Sequence, residues 1–474
     1  MQRTVAVIGG GISGLTACYQ LARSPNIILL EGSGRLGGWL HSTRTEDGAV
    51  FEHGPRGIRP AGTVGKNTLL MVSELGLDAD VLPVPGDHPA SKNRYLYVSG
   101  ALHRLNPSVF VGSGVLRTVS PFTRPLFWSG LHELAAPRGT QPDETIHSFV
   151  SRRFGKELAD IAIDSLCRGV FAGDCRALSM RSCFPALFEA EQRQRSVILG
   201  MALGGGKGPA LDSVLSRRAR DERWSQWSLR GGMETLPEAL QDFLRRRGVE
   251  MHCHARLQRL ERTAAECWQI TLEDGSVRAD HVISAIPARA LAVLLPGWAE
   301  PLAQELRSIE AVSVGVVNLQ YNGATLPITG FGHLVPSFED SSLLGIIYDS
   351  VAFPEQNGTG GPSVRLTVML GGAWFEQGFG DPDMVPQAML LSRAKEAVRA
   401  HLGMMAEPSH TIIKACIPQY TLGHWQRTGK TISRYLEQEG LPLSLIGASY
   451  QGVSVNDCIY SAKTAVTRLL DQAH

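Results

Sequence analysis

The first thirty residues alternate between strand-length apolar blocks and one stretch of helical period. "TVAVIGGGISGLTACYQLA" opens with Val5 to Ile8, four apolar or β-branched residues, the length of a buried strand. Gly9, Gly11 and Gly14 interrupt the block. Ile12, Leu15, Ala17, Tyr19 and Leu21 then supply a mostly apolar helix. A second apolar block, "IILLE", ends on Glu31. Strand, glycine loop, helix, strand and acid in this order predict a dinucleotide-binding βαβ unit. Gly9 permits the tight turn, Gly11 lets backbone approach a pyrophosphate, and Gly14 lets helix pack on strand. Gly10, Ile12 and Ser13 complete the loop, whose helix start presents unpaired N–H groups to phosphate. Glu31, about 20 residues past the glycines, suits a ribose hydroxyl pair. The bare spacing also fits a ligand-free turn; the second strand and its acid argue against that.

The patterning then changes twice. Residues 1 to about 88 continue through "FEHGPRGIRPAG" to a helix near 66–76. Residues 89–210 mix Phe110, Leu116, Phe122, Leu126, Phe127, Trp128 and Leu131 with Arg117 and Arg124. This predicts a helical insertion whose aromatics and cations suit a membrane surface, with core packing as the alternative. From 211 to 290, short alternating strands resume, with an Asp-Gly turn at 274–275 and a buried strand in "HVISAIP". Residues 291–420 carry further strands, "VSVGVVNLQY", "LLGIIYDSVAF" and "VRLTVML". Residues 421–474 end in strand, glycine turn and helix, with Gly452-Val453-Ser454 aimed at an acceptor such as a flavin carbonyl. The prediction is an α/β (overall α+β) chain. A discontinuous Rossmann-type domain (1–88, 211–290, 421–474) carries a helical insertion (89–210) and a mixed-sheet domain (291–420).

"RLGGW" adds chemistry. Gly37 and Gly38 allow close backbone approach from the loop after the second strand, and Arg35 offers a forked donor to phosphate. A second phosphate-facing loop favours FAD over NAD.

Composition narrows the partners. Lysine and arginine nearly balance the acids, giving a net charge of +1 over 474 residues. No global field attracts nucleic acid. The eight cysteines form no CxxC pair and suit reduced thiols. No apolar run reaches ~18 residues, so no membrane-spanning helix is expected. Cleavage of the apolar first twenty residues as a signal peptide would remove the phosphate loop, so that reading is rejected. His252 and His254 would share a strand face, yet no further ligand stands at metal-binding spacing. No metal site is expected.

Together the segments resemble the flavin superfamily that holds amine oxidases and phytoene desaturases. Within it they resemble the protoporphyrinogen oxidase family, of the animal mitochondrial type, over essentially the whole chain. The carriers are "VIGGGISGL", "RLGGW", "GPRGIRPAG", "NRYLYV", "SLCRGVFAG", "WSLRGGMETLP", "ADHVISAIPA", "GFGHLVP", "YDSVAFPEQ", "CIPQYTLGHW" and "GASYQGVSVNDCI". The resemblance implies a fold like those of p-hydroxybenzoate hydroxylase and monoamine oxidase. It implies non-covalent FAD, since the cysteine signature of covalent attachment is absent, and molecular oxygen as acceptor. The implied reaction is six-electron oxidation of protoporphyrinogen IX with release of hydrogen peroxide. It also implies a peripheral homodimer on the outer face of the mitochondrial inner membrane, handing product to ferrochelatase.

Carried over position by position, the resemblance assigns FAD contacts to Gly9, Gly10, Gly11, Ile12, Ser13, Gly14, Glu31 and Trp39. It extends them to Gly54, Pro55, Arg56, Gly57, Leu257, Gly452, Val453 and Ser454. Arg94 would pair a propionate. Phe331 and Leu334 would sandwich a pyrrole, Ile347 and Met369 would line the slot, and Gly169 would leave room beside a ring. No general base is assigned, because the flavin carries the hydride step. Three other readings share the architecture: an amine oxidase or desaturase, a flavin-free binding protein like the GDP-dissociation inhibitors, and a sugar-nucleotide mutase. Trp39 and "GFGHLVP" argue against the first, the intact glycine loops against the second, and the apolar insertion against the third.

Overall fold

The computed structural model describes residues 3–22, 26–105, 116–203 and 211–472. Phe110 and the glycine-rich end of "SVILGMALGGGKG" lie outside the described residues. In chain order, β1 (Val5–Ile8), α1 (Ile12–Leu21) and β2 (Ile27–Leu30) form the opening βαβ unit, followed by α2 (Gly62–Glu74). A hairpin, β3 (Arg94–Val98) and β4 (Ala101–Leu105), precedes α3 (Leu126–Ala135), α4 (Ile146–Phe154), α5 (Asp164–Phe171) and α6 (Val197–Leu203). The chain returns through α7 (Thr235–Arg246), β5 (Glu250–His252) and β6 (His281–Ser284). It crosses to β7 (Ala311–Asn322), β8 (Gly332–Leu334), β9 (Leu343–Ile347), β10 (Ser363–Gly372), α8 (Gln387–Leu402) and β11 (Ser409–Pro418). It ends with β12 (Leu443–Leu445) and α9 (Val455–Asp471).

Two sheets organise these elements. A five-stranded parallel sheet runs β12-β6-β1-β2-β5, with Val5 in register with both Ile27 and His281. Its central strand is buried on both faces, which explains why β1 is an unbroken apolar block. A seven-stranded mixed sheet runs β11-β7-β10-β9-β8-β3-β4. There, alternate residues go to opposite faces: Ile346, Val368 and Leu366 pack toward α8, while their neighbours turn the other way. The Asp-Gly turn at 274–275 joins two antiparallel strands as expected.

The insertion differs from its predicted bounds. Residues 94–105 are not helical: β3 pairs in parallel with β8, so this hairpin extends the mixed sheet. The helices begin beyond it. The tyrosines of "NRYLYV" alternate with Leu96 and Val98, a period of two that marks strand. The helix expected near 66–76 starts earlier, at Gly62, and His254 lies outside β5, so the two histidines do not share a strand face. His252 instead meets Glu250 at 2.6 Å.

Candidate active site

The nucleotide end is built by backbone packing. A Cβ on Gly14 would stand 1.8 Å from the Gly9 carbonyl oxygen, so only glycine lets α1 sit this close to β1. Gly11 caps α1 without a side chain, and no acid stands in the first turn. The N–H groups there suit an anion. Glu31 accepts from Gly10 N at 2.7 Å and from Ser33 N at 2.8 Å, which holds its carboxylate beside the loop.

"RLGGW" plays a part that its sequence only half discloses. Gly37 N donates to Gly10 O at 2.8 Å, and a Cβ on Gly38 would come within 3.0 Å of the Gly11 Cα. The glycine pair therefore lies backbone-to-backbone on the first loop, making the two loops one cradle. Arg35, expected to fork onto phosphate, has its donors engaged elsewhere. Its guanidinium bonds Leu36 O at 3.0 Å and Gly38 O, and sits 3.6 Å from Glu234. It shapes the loop from behind.

Other residues expected at the cofactor lie near these loops. A Cβ on Gly54 would meet the Trp39 carbonyl oxygen at 2.4 Å, so Trp39 and the Gly54–Gly57 loop touch. Ala255 N donates to Glu31 O, which brings the start of the strand holding half-buried Leu257 toward the acid. A Cβ on Gly447 would stand 3.4 Å from Ser13 Oγ, so the segment leading to α9 lies beside the start of α1. One expectation is modified: Ser454 and Asp457 form a reciprocal capping box. The α9 start therefore satisfies part of its own donor set, unlike α1.

The substrate-side residues share one face of the mixed sheet. Leu334 is in register with Gly345 and Leu96, Gly345 with Met369, and Ile347 with Gly332 and Thr367. Arg94, two residues before Leu96, falls on the same side. Arg94, Leu334, Ile347 and Met369 thus project from a common surface, three of them apolar and partly exposed. Phe331 joins them at the rim, its ring 5.3 Å from the Arg94 guanidinium. Gly169 on α5, expected to leave room beside a ring, is instead packed by Leu334: a Cβ there would come within 2.7 Å of Leu334 Cδ2.

Arg56 fixes this face toward the cofactor loop. It bonds Asp349 Oδ1 at 2.7 Å and Thr367 Oγ1 at 2.5 Å, from the loop that also holds Gly54 and Gly57. Thr367 reaches onward to Asn318 and Asp349, and Asn318 Nδ2 to Glu52 O. Arg56 therefore acts as a clasp between loop and sheet. Burial raises the Glu52 carboxyl to about 7, against the bonds it accepts from Met233 N and Ser42. Asp349, Thr367 and Asn318 escape sequence reasoning because they lie some three hundred residues from Arg56; only "YDSVAF" hinted at Asp349. Arg59 was missed as well. Burial, and then the charge of Arg59, lower the Arg94 pKa, so Arg59 is a second cation whose field reaches Arg94.

Asp164, Asp174 and Cys175 also gather closely. Asp164, however, accepts from Ser337 N at 2.6 Å and from Arg176 at 3.2 Å, so its oxygens already anchor chain.

Comparisons with known proteins find relatives along the whole chain. Residues 12–470 match the family of flavin-containing amine oxidoreductases. The chain is 57% identical over 476 residues to the protoporphyrinogen oxidase of Bos taurus, with 99% of each chain covered. It is 56% identical to that of Homo sapiens over the same span and coverage. A crystal structure from Exiguobacterium sp. 255-15, named for the same activity, superposes with a TM-score of 0.78 at 23% identity. It covers 100% of this chain and 99% of its own, and this likeness shows the fold alone.

Proposed function

Since the chain belongs to the flavin-containing amine oxidoreductases, and within them to the protoporphyrinogen oxidases, we propose that it oxidises protoporphyrinogen IX to protoporphyrin IX. Molecular oxygen is the acceptor and hydrogen peroxide the by-product. The observation that carries this reading is the shared sheet face. An apolar slot lined by Leu334, Ile347 and Met369 has Arg94 at its rim and is clasped by Arg56–Asp349 to the dinucleotide loops. A flexible apolar tetrapyrrole with two carboxylates matches the apolar lining and the cationic rim.

The cradle fits FAD: α1 presents uncapped N–H groups, and the paired glycine loops leave no room for side chains. Gly9 to Gly14, Gly37, Gly38, Glu31, the Gly54–Gly57 loop, Leu257 and Gly452–Ser454 would hold it. When bound, FAD would supply hydride acceptance and oxygen-dependent return of the electrons. The chain's own residues orient and enclose. Arg94, in the field of Arg59, holds a propionate; Phe331 and Leu334 flank a ring; the slot keeps water from the reacting edge. No side chain is assigned as base, because the hydride step belongs to the flavin. Arg94 acts by positioning.

Peripheral membrane attachment belongs to the same reading. Among the described residues no helix is long and apolar enough to cross a membrane. Phe127, Trp128, Leu131 and Leu134 on α3, with Ile198, Leu199 and Met201 on neighbouring α6, are exposed. We place this band on the mitochondrial inner membrane, where an apolar substrate and product partition. A homodimer and hand-over to ferrochelatase complete the family reading; light scattering of the detergent-solubilised protein tests the dimer.

The deciding assay mixes purified protein with protoporphyrinogen IX in air and follows porphyrin fluorescence alongside peroxide. Three peroxides per porphyrin support the reaction. A yellow protein with no fluorescence above the uncatalysed background rejects the substrate and leaves the cofactor.

A further inference from the structure

Arg168 is fully buried on α5, immediately before Gly169. Its Nε donates to Val335 O at 2.9 Å. Its Nη2 faces the carbonyls of Asp340, Ser341 and Leu343 at 2.7, 3.1 and 2.8 Å. The guanidinium also lies 4.3 Å from the Trp374 ring centroid. These acceptors belong to one hairpin. Val335 follows Leu334 at the end of β8, residues 340 and 341 lie in the turn, and Leu343 begins β9 where its register with β10 is irregular. A bulge at a sheet site re-aims side chains, and here the bulge is fastened by a helix from a different part of the chain.

We propose that Arg168 is a positioning residue that sets where Leu334 stands in the substrate slot, by fixing α5 against the β8–β9 hairpin so that Gly169 backs the Leu334 side chain. The inference rests on the protoporphyrinogen reading above. Neighbouring polar contacts anchor the same helix at its ends: Asp164 accepts from Ser337 N, and Ala172 O accepts from Ala373 N at 2.8 Å. Between those anchors, Arg168 bonds the residue that follows Leu334. Slack there becomes slack between Gly169 and Leu334, already at contact distance. Only a planar fork reaches carbonyls from both strands and the turn together; a lysine ammonium reaches fewer and cannot stack on Trp374 in the same way. Burial lowers the Arg168 pKa to about 10, which leaves the group charged at neutral pH.

The test uses the flavin-loaded full chain. Arg168→Lys should raise KM for protoporphyrinogen IX roughly tenfold, with kcat within about twofold. Equilibrium Kd for protoporphyrin IX, read by fluorescence, should weaken by a similar factor while flavin content stays at wild-type level. Combined with Leu334→Val, the effect on Kd should be non-additive; combined with Arg94→Lys at the rim, it should add. If Arg168→Lys does not fold, Trp374→Leu loosens the guanidinium while leaving its hydrogen bonds, and should shift KM in the same direction. Lowered Tm with unchanged KM and Kd in either variant overturns the proposal and leaves a structural residue. A wild-type protein that neither oxidises protoporphyrinogen nor binds protoporphyrin IX overturns the functional reading itself, which is a different result.

Discussion

The helix α7 turns Leu236, Leu240 and Leu244 into the core beside the dinucleotide sheet and leaves Arg245 and Arg246 outside. The helix α3 does the reverse: Glu133 is its one buried residue, while Trp128 is 59% exposed and Phe127, Leu131 and Leu134 face outward with it. Glu133 is 0% exposed and meets Arg153, also 0% exposed; Ser196 Oγ donates to it at 2.7 Å and Val197 N at 2.6 Å. Arg153 further meets Glu191, which Arg152 shares. One helix is held by the hydrophobic effect, the other by a buried, charge-balanced network. The second arrangement frees an apolar face that ordinary packing would consume, and that face is the one proposed to meet lipid. Amphipathicity alone does not say which side of a helix is inside.

The sharpest way to break the contrast is Arg153→Ala. It leaves Glu133 buried with its cationic partner gone, and truncating one side of a buried pair costs about 3–5 kcal/mol. Thermal unfolding monitored alongside flavin release should show the helical insertion loosening first. Leu240→Ala on α7 removes apolar contacts only; large-to-small changes of this kind cost about 2–5 kcal/mol. It should lower the Tm of the flavin-binding unit and promote flavin loss, with vesicle binding retained. Equal effects of both variants on both readouts would refute the distinction.

A third kind of buried polar packing sharpens it. Behind the mixed sheet His333 meets Tyr348 at 2.7 Å and His401 at 2.9 Å, and His401 stacks on Tyr97. Burial, and then the mutual repulsion of the two rings, holds His333 well below its ordinary value; burial lowers His401 to about 4. Both folded values lie below the unfolded one, so the unfolded chain binds more protons as pH falls. The stability they contribute is fully present above about 6.5, the free-histidine value, and is lost as pH drops toward about 4. Tm measured across that window should fall less steeply in His401→Gln than in wild type. Parallel curves would remove the pair from the acid response.

Legibility in the sequence followed the range of the interactions. The βαβ unit was legible because its glycines, strand blocks and acid are consecutive, and each answers to a local steric demand such as the Gly14–Gly9 approach. Arg94, Leu334, Ile347 and Met369 came through the motifs of the resemblance, and the strand period then placed them on one face. The hairpin at 94–105 was misassigned to the helical insertion because its partner, β8, lies more than two hundred residues on. Arg35 looked like a phosphate ligand because a free guanidinium beside glycines is one; its turn back onto Gly38 O and Glu234 is a tertiary fact. The Arg56–Asp349 clasp and the Arg168 anchor likewise join residues that no local pattern links.

The smallest expected effect on stability is the most informative about the apolar face. Trp128→Glu combined with Leu131→Glu places charge on side chains that are already in water in the isolated chain. Surface substitutions of this sort shift stability by about 0.5 kcal/mol or less, so Tm and flavin content should match wild type. Co-flotation with vesicles of phosphatidylcholine and cardiolipin should nevertheless collapse, because two apolar anchors are replaced by charges that lipid and its anionic headgroups both reject. Raising salt should not release the wild-type protein, since apolar burial is not screened. Release by salt alone, or flotation that survives both glutamates, would mean that α3 is inside out for a different reason. The buried Glu133–Arg153 network would then be the cause of the exposed face and not its means.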